Sequence, residues 1–269
     1  AYEIRLSLVG SEMCIRDSRL PIDEKFWFGH GNGQEPGDET NYRTLVDAVV
    51  RLVAARGAHV ILDLHSFGAP TQVHVAFWQD AAKRYGNNPA VLFELFNEPH
   101  GISWKVWRDG GDFNSGDHIV ADEGAAENDI KVIGNTSTGM QALVDVVRAT
   151  GAQNIVIVGG VDWSYDLTGV VDGFALDDRG GNGMIYVSHV YPWKSGWEKK
   201  FLVAAKRFPI IITEVGCQPT PMPWQKTTED PATWAPDMLG LIQKHRLHWT
   251  GFSFHPQTGP RVILDWNYT

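Results

Sequence analysis

The chain has 269 residues, of which 43% are hydrophobic and 20% charged, and its formal net charge is −9. That apolar fraction excludes a disordered chain, and the acidic balance argues against nucleic acid or an anionic membrane as the main partner, because both select basic surfaces. No apolar run reaches the ~18 residues of a membrane span, and two cysteines, Cys14 and Cys217, exclude a disulfide framework and a four-cysteine zinc site.

In chain order, the first segment is irregular. LSLVGSEMCIRDS, residues 6–18, has neither helical nor strand periodicity and resembles the translation of a sequencing adapter. Residues 1–18 are therefore expected to be non-native or without fixed structure. Native sequence would begin near Arg19, and residues 19–269 would be one domain truncated at both ends. RLPI at 19–22 is a short strand candidate. Residues 40–56 read as an amphipathic helix with Leu45, Val49, Leu52 and Val53 on one stripe, and Gly57 as its stop. HVILDLH (59–65) reads as a strand, residues 73–85 as a helix and AVLFELF (90–96) as a strand. Residues 99–136, rich in Gly, Asp and Asn, break the rhythm; a long loop in a compact domain carries function or is disordered. A helix follows at 137–150, then strands NIVIVGG (154–160) and MIYVSHVY (184–191), and a helix at 196–207. PIIITEVG (209–216), a helix at 231–246 and GFSFH (251–255) complete the series.

The strand candidates are nearly continuous in hydrophobicity, as in a parallel sheet buried on both faces. Their alternation with helices implies βαβ units. Eight such units make a barrel of roughly 250 residues. Seven strands are readable, and no glycine-rich phosphate fingerprint follows the early ones, which disfavours a dinucleotide-binding sheet. The expected fold is a (β/α)8 TIM barrel lacking its native first β/α unit.

Polar residues end the apolar runs: His65, then Asn97 and Glu98, His189 and Tyr191, and Glu214. In a parallel barrel these ends converge on one face. Two carboxylates there suit glycoside cleavage, in which one is held protonated to serve the leaving oxygen and the other is ionised to attack the anomeric carbon. FELFNEP, PIIITEVG and ILDLH, with HVY between them and FHPQTGPRVILDW at the end, resemble glycoside hydrolase family 5. The resemblance runs from Arg19 to the last residues. It implies a retaining enzyme with Glu98 as acid/base and Glu214 as nucleophile, and Asn97 on the sugar 2-hydroxyl. Tyr191 would bond the nucleophile, Arg19 would sit beneath it and keep it ionised, and His65 and His189 would line the cleaved subsite. The family usually carries a tryptophan at the end of the last barrel strand; aligning on FHP puts Phe252 there, which offers less stacking area and no N–H.

Flat indoles stack on the apolar faces of sugar rings. Trp163 follows VIVGG and Trp193 follows HVY, and both are expected as sugar platforms. Trp104 and Trp107 could be platforms too, but their three-residue spacing equally fits one face of a short helix packed on the barrel. Trp78, Trp197, Trp234 and Trp249 lie in or beside helices and read as packing. His65 and His189 do not make a three-ligand metal site, so no metal or cofactor is expected. The expected activity is a retaining endo-β-glycosidase on a β-1,4-linked glucan or mannan, from a monomer that is secreted or in the cell envelope. The expected partner is that polysaccharide or an oligosaccharide of it, with no nucleic acid and no membrane. A non-catalytic carbohydrate-binding barrel and a metal-dependent barrel hydrolase are the competing readings.

Overall fold

A computed structural model describes residues 17–113, 136–220 and 229–267. Among them, seven strands form one sheet. They are β1 (Asp17–Ile22), β2 (His59–Leu64), β3 (Val91–Glu94), β4 (Val156–Gly159), β5 (Met184–Val190), β6 (Ile210–Val215) and β7 (His248–Gly251). They hydrogen-bond in that order, and every pair is parallel. The edge of β7 returns to β1, so the sheet curls into a nearly closed barrel. The expected non-native segment lies outside the described residues except for Asp17 and Ser18. These two already belong to β1, opposite His59 and Val60, because strand pairing is a backbone property and extends as far as β2 offers partners.

Side chains alternate between the faces of a strand, and here the alternation sorts two cores. Val60, Leu62 and Leu64 of β2 face outward into the large cluster under the helices. Ile61, Ile157, Val187 and Ile211 fill the barrel interior, with Leu92 and Ile185 against them. One inward step towards the C-terminal ends, four strands leave the apolar layer: Ile61 is followed at i+2 by Asp63, Leu92 by Glu94, Val187 by His189 and Ile211 by Thr213. All four are buried. The interior is thus greasy at the bottom and charged at the top.

The helices α1 (Asp38–Ala54), α2 (Gln72–Tyr85), α3 (Trp104–Asp109), α4 (Met140–Ala149) and α5 (Pro231–His245) cover the outside. α1 lies where expected but turned: Val46, Val50 and Val53 are buried, while Leu45 and Leu52 are 62% and 48% exposed. The run LVDAVVRLVAA supports two stripes of equal apolarity, and the shorter valines fit against β2. α4 starts three residues late because Gly139, at φ 77°, approaches Gly110 so closely that a Cβ would lie 2.4 Å from its nitrogen. The 196–207 helix is a wide turn at Glu198–Leu202 followed by Val203–Ala205. GFSFH is not the last strand. Pairing with β6 ends at Gly251, so β7 lies upstream, Trp249 sits on it rather than beside a helix, and Phe252 stands just past its end.

Trp104 and Trp107 follow the helical alternative. On α3 they meet edge to face at 4.9 Å, Trp104 stacks towards Phe174, and the buried Trp107 indole donates to the Gly159 carbonyl at 2.9 Å. The rotated stripe on α1 has a direct check. Val50→Ala should lower unfolding stability by about 2 kcal/mol, whereas Leu45→Gln should stay within about 0.5 kcal/mol, both read from urea denaturation midpoints.

Candidate active site

Arg19 points from β1 into the charged upper layer and is almost fully buried. Its Nε and Nη2 donate to the two oxygens of Glu94 at 2.7 and 3.0 Å. Nη1 donates to Glu214 Oε1 at 2.6 Å, and Nη2 also reaches Asn97 Oδ1 at 2.7 Å and Asp63 Oδ2 at 3.0 Å. One guanidinium therefore gathers three carboxylates and the amide that precedes Glu98. Burying an ion is costly unless it is paired and hydrogen-bonded, and Arg19 satisfies that condition with its fork of donors.

Glu214 reaches this layer through a bulge. Ile211 pairs with Val187, but Glu214 pairs with His189, so three residues on β6 span two on β5. An extra residue re-aims side chains, and here it brings the neighbours Thr213 and Glu214 into the same site. Glu214 accepts from Arg19 on one oxygen and from the Tyr191 hydroxyl on the other. Burial alone would raise its pKa; His189 and Arg19 overcome that and hold it below the ordinary carboxylate value. Tyr191 is pushed well up by burial and by Glu214, so it keeps its proton and donates.

Glu98 lies beyond β3, where Glu98 and Pro99 pair with Phe67 and Gly68. Its Oε1 is 2.9 Å from His189 Nδ1. Burial, helped by the charge of Glu214, raises its pKa against the opposing pull of His189. The two glutamates thus sit in opposite proton environments. An oxygen of each and His189 Nδ1 all lie within 4.8 Å of one another. Those atoms could bracket a metal ion, but Glu98 is bonded to His189, and Glu214 to Arg19 and Tyr191, so an ion would have to displace those bonds.

Asn97 is buried, with its oxygen turned to Arg19 and its Nδ2 left without an acceptor. His65 Nδ1 lies 2.7 Å from Asp63; burial opposes its charged form, but Asp63 outweighs that and raises its pKa. His65 also meets the edge of Phe67, which is 55% exposed.

The two expected platforms are differently placed. Trp163 is only 8% exposed and stacks on His100 at 4.4 Å, with the Lys194 ammonium 5.2 Å from its ring centre. It belongs to a turn, Asp162–Trp163–Ser164, whose three residues all have left-handed φ of 55–57°. Such a turn costs on the order of 1–2 kcal/mol per residue. It is held by Lys194 on Asp162 and by the Ser164 hydroxyl on the Asn97 carbonyl at 2.5 Å. Gly159 permits the approach, since a Cβ there would lie 1.9 Å from Ser164 Oγ. Trp193 is half-buried and stacks parallel to Tyr191 at 4.6 Å. Phe252 is half-buried, its N–H bonded to the Val215 carbonyl at 2.9 Å. Sequence reasoning passed over Asp63, Glu94, Thr213 and Phe67; for the first three the signal available was a polar residue at i+2 from an inward apolar one.

The sequence model described as Cellulase (glycosyl hydrolase family 5) matches residues 18–258. The chain belongs to glycosyl hydrolase family 5. Members of that family fold as (β/α)8 barrels. Among curated relatives, Endoglucanase E-5 of Thermobifida fusca is 24% identical over 82% of this chain and 43% of its own length. Endoglucanase Z of Dickeya dadantii is 27% identical over 59% of this chain and 30% of its own. This chain thus spans less than half the length of either. The solved structure of the β-glucanase SdGluc5_26A from Saccharophagus degradans superposes with a TM-score of 0.71 at 25% identity, covering 94% of this chain and 74% of its own.

The buried charges make stability depend on acid. Burial would raise the Glu94 pKa, but the Arg19 guanidinium and the His189 side dominate and bring it down to about 2. A depressed carboxylate stabilises the fold above its unfolded pKa, near 4.3, and loses that contribution as pH falls towards the folded value. Thermal melts should therefore show Tm falling between about pH 4.5 and 2, and Glu94→Gln should flatten that fall. Arg19→Met should cost about 3–5 kcal/mol at pH 7, because it strands buried carboxylates; an unchanged melt would contradict the pairing.

Proposed function

We propose that this family 5 member is a retaining endo-β-1,4-glucanase, with Glu214 as nucleophile and Glu98 as acid/base. The observation that carries the reading is the close pair of glutamates with opposite proton affinities. Retaining enzymes hold their carboxyl groups ~5–5.5 Å apart, whereas inverting ones separate them by roughly 6.5–9.5 Å to admit a water. Oxygens within 4.8 Å fit the first spacing. The endoglucanase names of the curated relatives favour glucan over mannan, and SdGluc5_26A itself has been solved in complex with cellotetraose.

In the first step Glu214, ionised and aligned by Arg19 and Tyr191, attacks the anomeric carbon while Glu98 gives a proton to the leaving oxygen. In the second, Glu98 takes a proton from water, whose oxygen displaces Glu214. The unpaired Asn97 Nδ2 is free to donate to the 2-hydroxyl of the attacked sugar, and Arg19 orients that amide. Phe67 and Trp193, with Phe252 at the end of β7, offer the aromatic surface for neighbouring rings. Substrate of this kind is a polymer too large to enter a cell, which places the enzyme outside it or in the envelope.

Glu98→Gln should reduce kcat on cello-oligosaccharides by about two to four orders of magnitude, and Glu214→Gln by more, because no glycosyl-enzyme can form. Proton NMR of a running hydrolysis should show the β-anomer first. Near-full activity of either variant, or the α-anomer first, would remove the reading, and binding of cellotetraose without turnover would leave a carbohydrate-binding barrel. A chelator should leave the rate unchanged.

A further inference from the structure

Behind Glu98 runs a hydrogen-bond chain that the reaction as written does not use. Glu94 is ionised against Arg19 and can only accept. The Thr213 hydroxyl donates to Glu94 Oε1 at 2.9 Å, so its one proton is committed there. The remaining lone pair of Thr213 Oγ faces His189 Nε2 at 3.0 Å, and a lone pair can bond that nitrogen only if the nitrogen carries the hydrogen. His189 Nε2 is 3.7 Å from Glu94 itself, too far for a direct bond. The first imidazole proton is therefore pinned on Nε2. That leaves Nδ1 facing Glu98 Oε1 at 2.9 Å, a contact that two lone pairs cannot share without a proton between them.

We propose that the general acid of this site is the Glu98–His189 pair, storing its deliverable proton in the Nδ1–Oε1 contact, and that Thr213, backed by Glu94, is the positioning residue that makes this possible. This step rests on the acid/base assignment of Glu98. The leaving oxygen gains a proton and the bond to the anomeric carbon breaks. Glu98 loses that proton and is resupplied from Nδ1, which turns an imidazolium into a neutral ring with its hydrogen on Nε2. In the second half-reaction water gives its proton to Glu98 and on to Nδ1, its oxygen bonds the anomeric carbon, and the electron pair of the Glu214–carbon bond returns to the carboxylate. If Nε2 were bare, the neutral ring would hold its only hydrogen on Nδ1 and would have none to give.

The surroundings of His189 favour the charged ring. Glu98 faces it from beyond β3, Glu94 from β3 and Glu214 from β6, 3.7 Å from Nδ1; on β4 the neighbour is Gly159, beside Val187. The other charges nearby are Arg19, which pairs with Glu94 and Glu214, and His65, which pairs with Asp63. Burial alone would lower the His189 pKa, but Glu214, Glu94 and Glu98 raise it to about 9. A raised histidine keeps its second proton until pH passes that value. Removing the Nε2 acceptor destabilises the cation, so the alkaline limb of activity should move to lower pH.

The test compares two substrates. A cello-oligosaccharide has a poor leaving group and needs the acid, whereas 2,4-dinitrophenyl β-cellobioside has a good one and does not. Thr213→Val, nearly isosteric, should lower kcat/KM on the first by about tenfold or more, leave the second within about threefold, and shift the alkaline limb down. Thr213→Ser should restore wild-type behaviour. Equal losses of Thr213→Val on both substrates, or failure of Thr213→Ser to rescue, would overturn the proposal. Glu98→Ala separates this from the underlying assignment: if it loses both substrates alike, Glu98 is not the acid. One measurement needs no stable variant at Thr213. In wild-type protein with 15N-labelled histidine, the His189 signals (assigned by their loss in His189→Gln) should show Nε2 protonated throughout and Nδ1 alone titrating; an unprotonated Nε2 would refute the pinned tautomer.

Discussion

A single buried guanidinium sets the terms for the upper half of this barrel. Arg19 touches Glu94, Glu214, Asp63 and Asn97 at hydrogen-bond distance. Without a cation at that point three carboxyl groups could not gather out of water with any of them ionised. With it, each is given a separate task. Glu214 is left poised and anionic, Glu94 becomes a pure acceptor, and Asp63 holds His65. Glu94 and Glu214 are held below the ordinary carboxylate value, while burial pushes Asp63 and Glu98 the other way; of those two, Asp63 is the one at Arg19. The opposite proton affinities of Glu98 and Glu214 follow from burial, which stands at Glu98 and is outweighed at Glu214 by His189 and Arg19.

Placement in turn depends on strand geometry rather than on loops. The tilt and stagger of barrel strands bring inward positions that are not direct register partners to one layer, so Asp63, Glu94, His189 and Thr213 meet, each one inward step above an apolar residue. The bulge in β6 then breaks the alternation in the one place where two consecutive side chains are needed. Thr213 serves the chain to His189, and Glu214 faces the opening. A regular strand would have turned Glu214 outward under the helices, where its charge would have had no partner.

Much of this was legible because buried strands are apolar and a carboxylate ending one demands an explanation. That logic located Glu98 and Glu214, and the ends of the strands bring Asn97, His189 and Tyr191 beside them. It could not find Glu94 or Asp63, since these sit inside the apolar runs, where a polar letter among valines and leucines looks like an interruption rather than a layer. The α1 stripe was misread because LVDAVVRLVAA allows two faces and only the barrel surface chooses between them. GFSFH looked more strand-like than HWTG, yet the backbone of β6 selects the latter. Tryptophans were the least legible group. Their stacking on a sugar, on a histidine or on Tyr191 uses the same flat surface, and sequence does not say which ring arrives first.

Trp163 shows what that ambiguity conceals. A left-handed turn of three residues other than glycine is unfavourable, and it persists only where surrounding contacts over-determine it. Besides Lys194 on Asp162, two contacts lead back to the loop carrying Glu98. Ser164 grips the Asn97 carbonyl, and the Trp163 ring lies on His100 two residues beyond Glu98. Such a turn supports Glu98 from behind by fixing the backbone on both sides of it. The strain in 162–164 and the bulge in β6 are then two solutions to one requirement: opposed carboxylates must keep a separation of a few ångströms, and neither flexible loops nor regular strands alone would hold it.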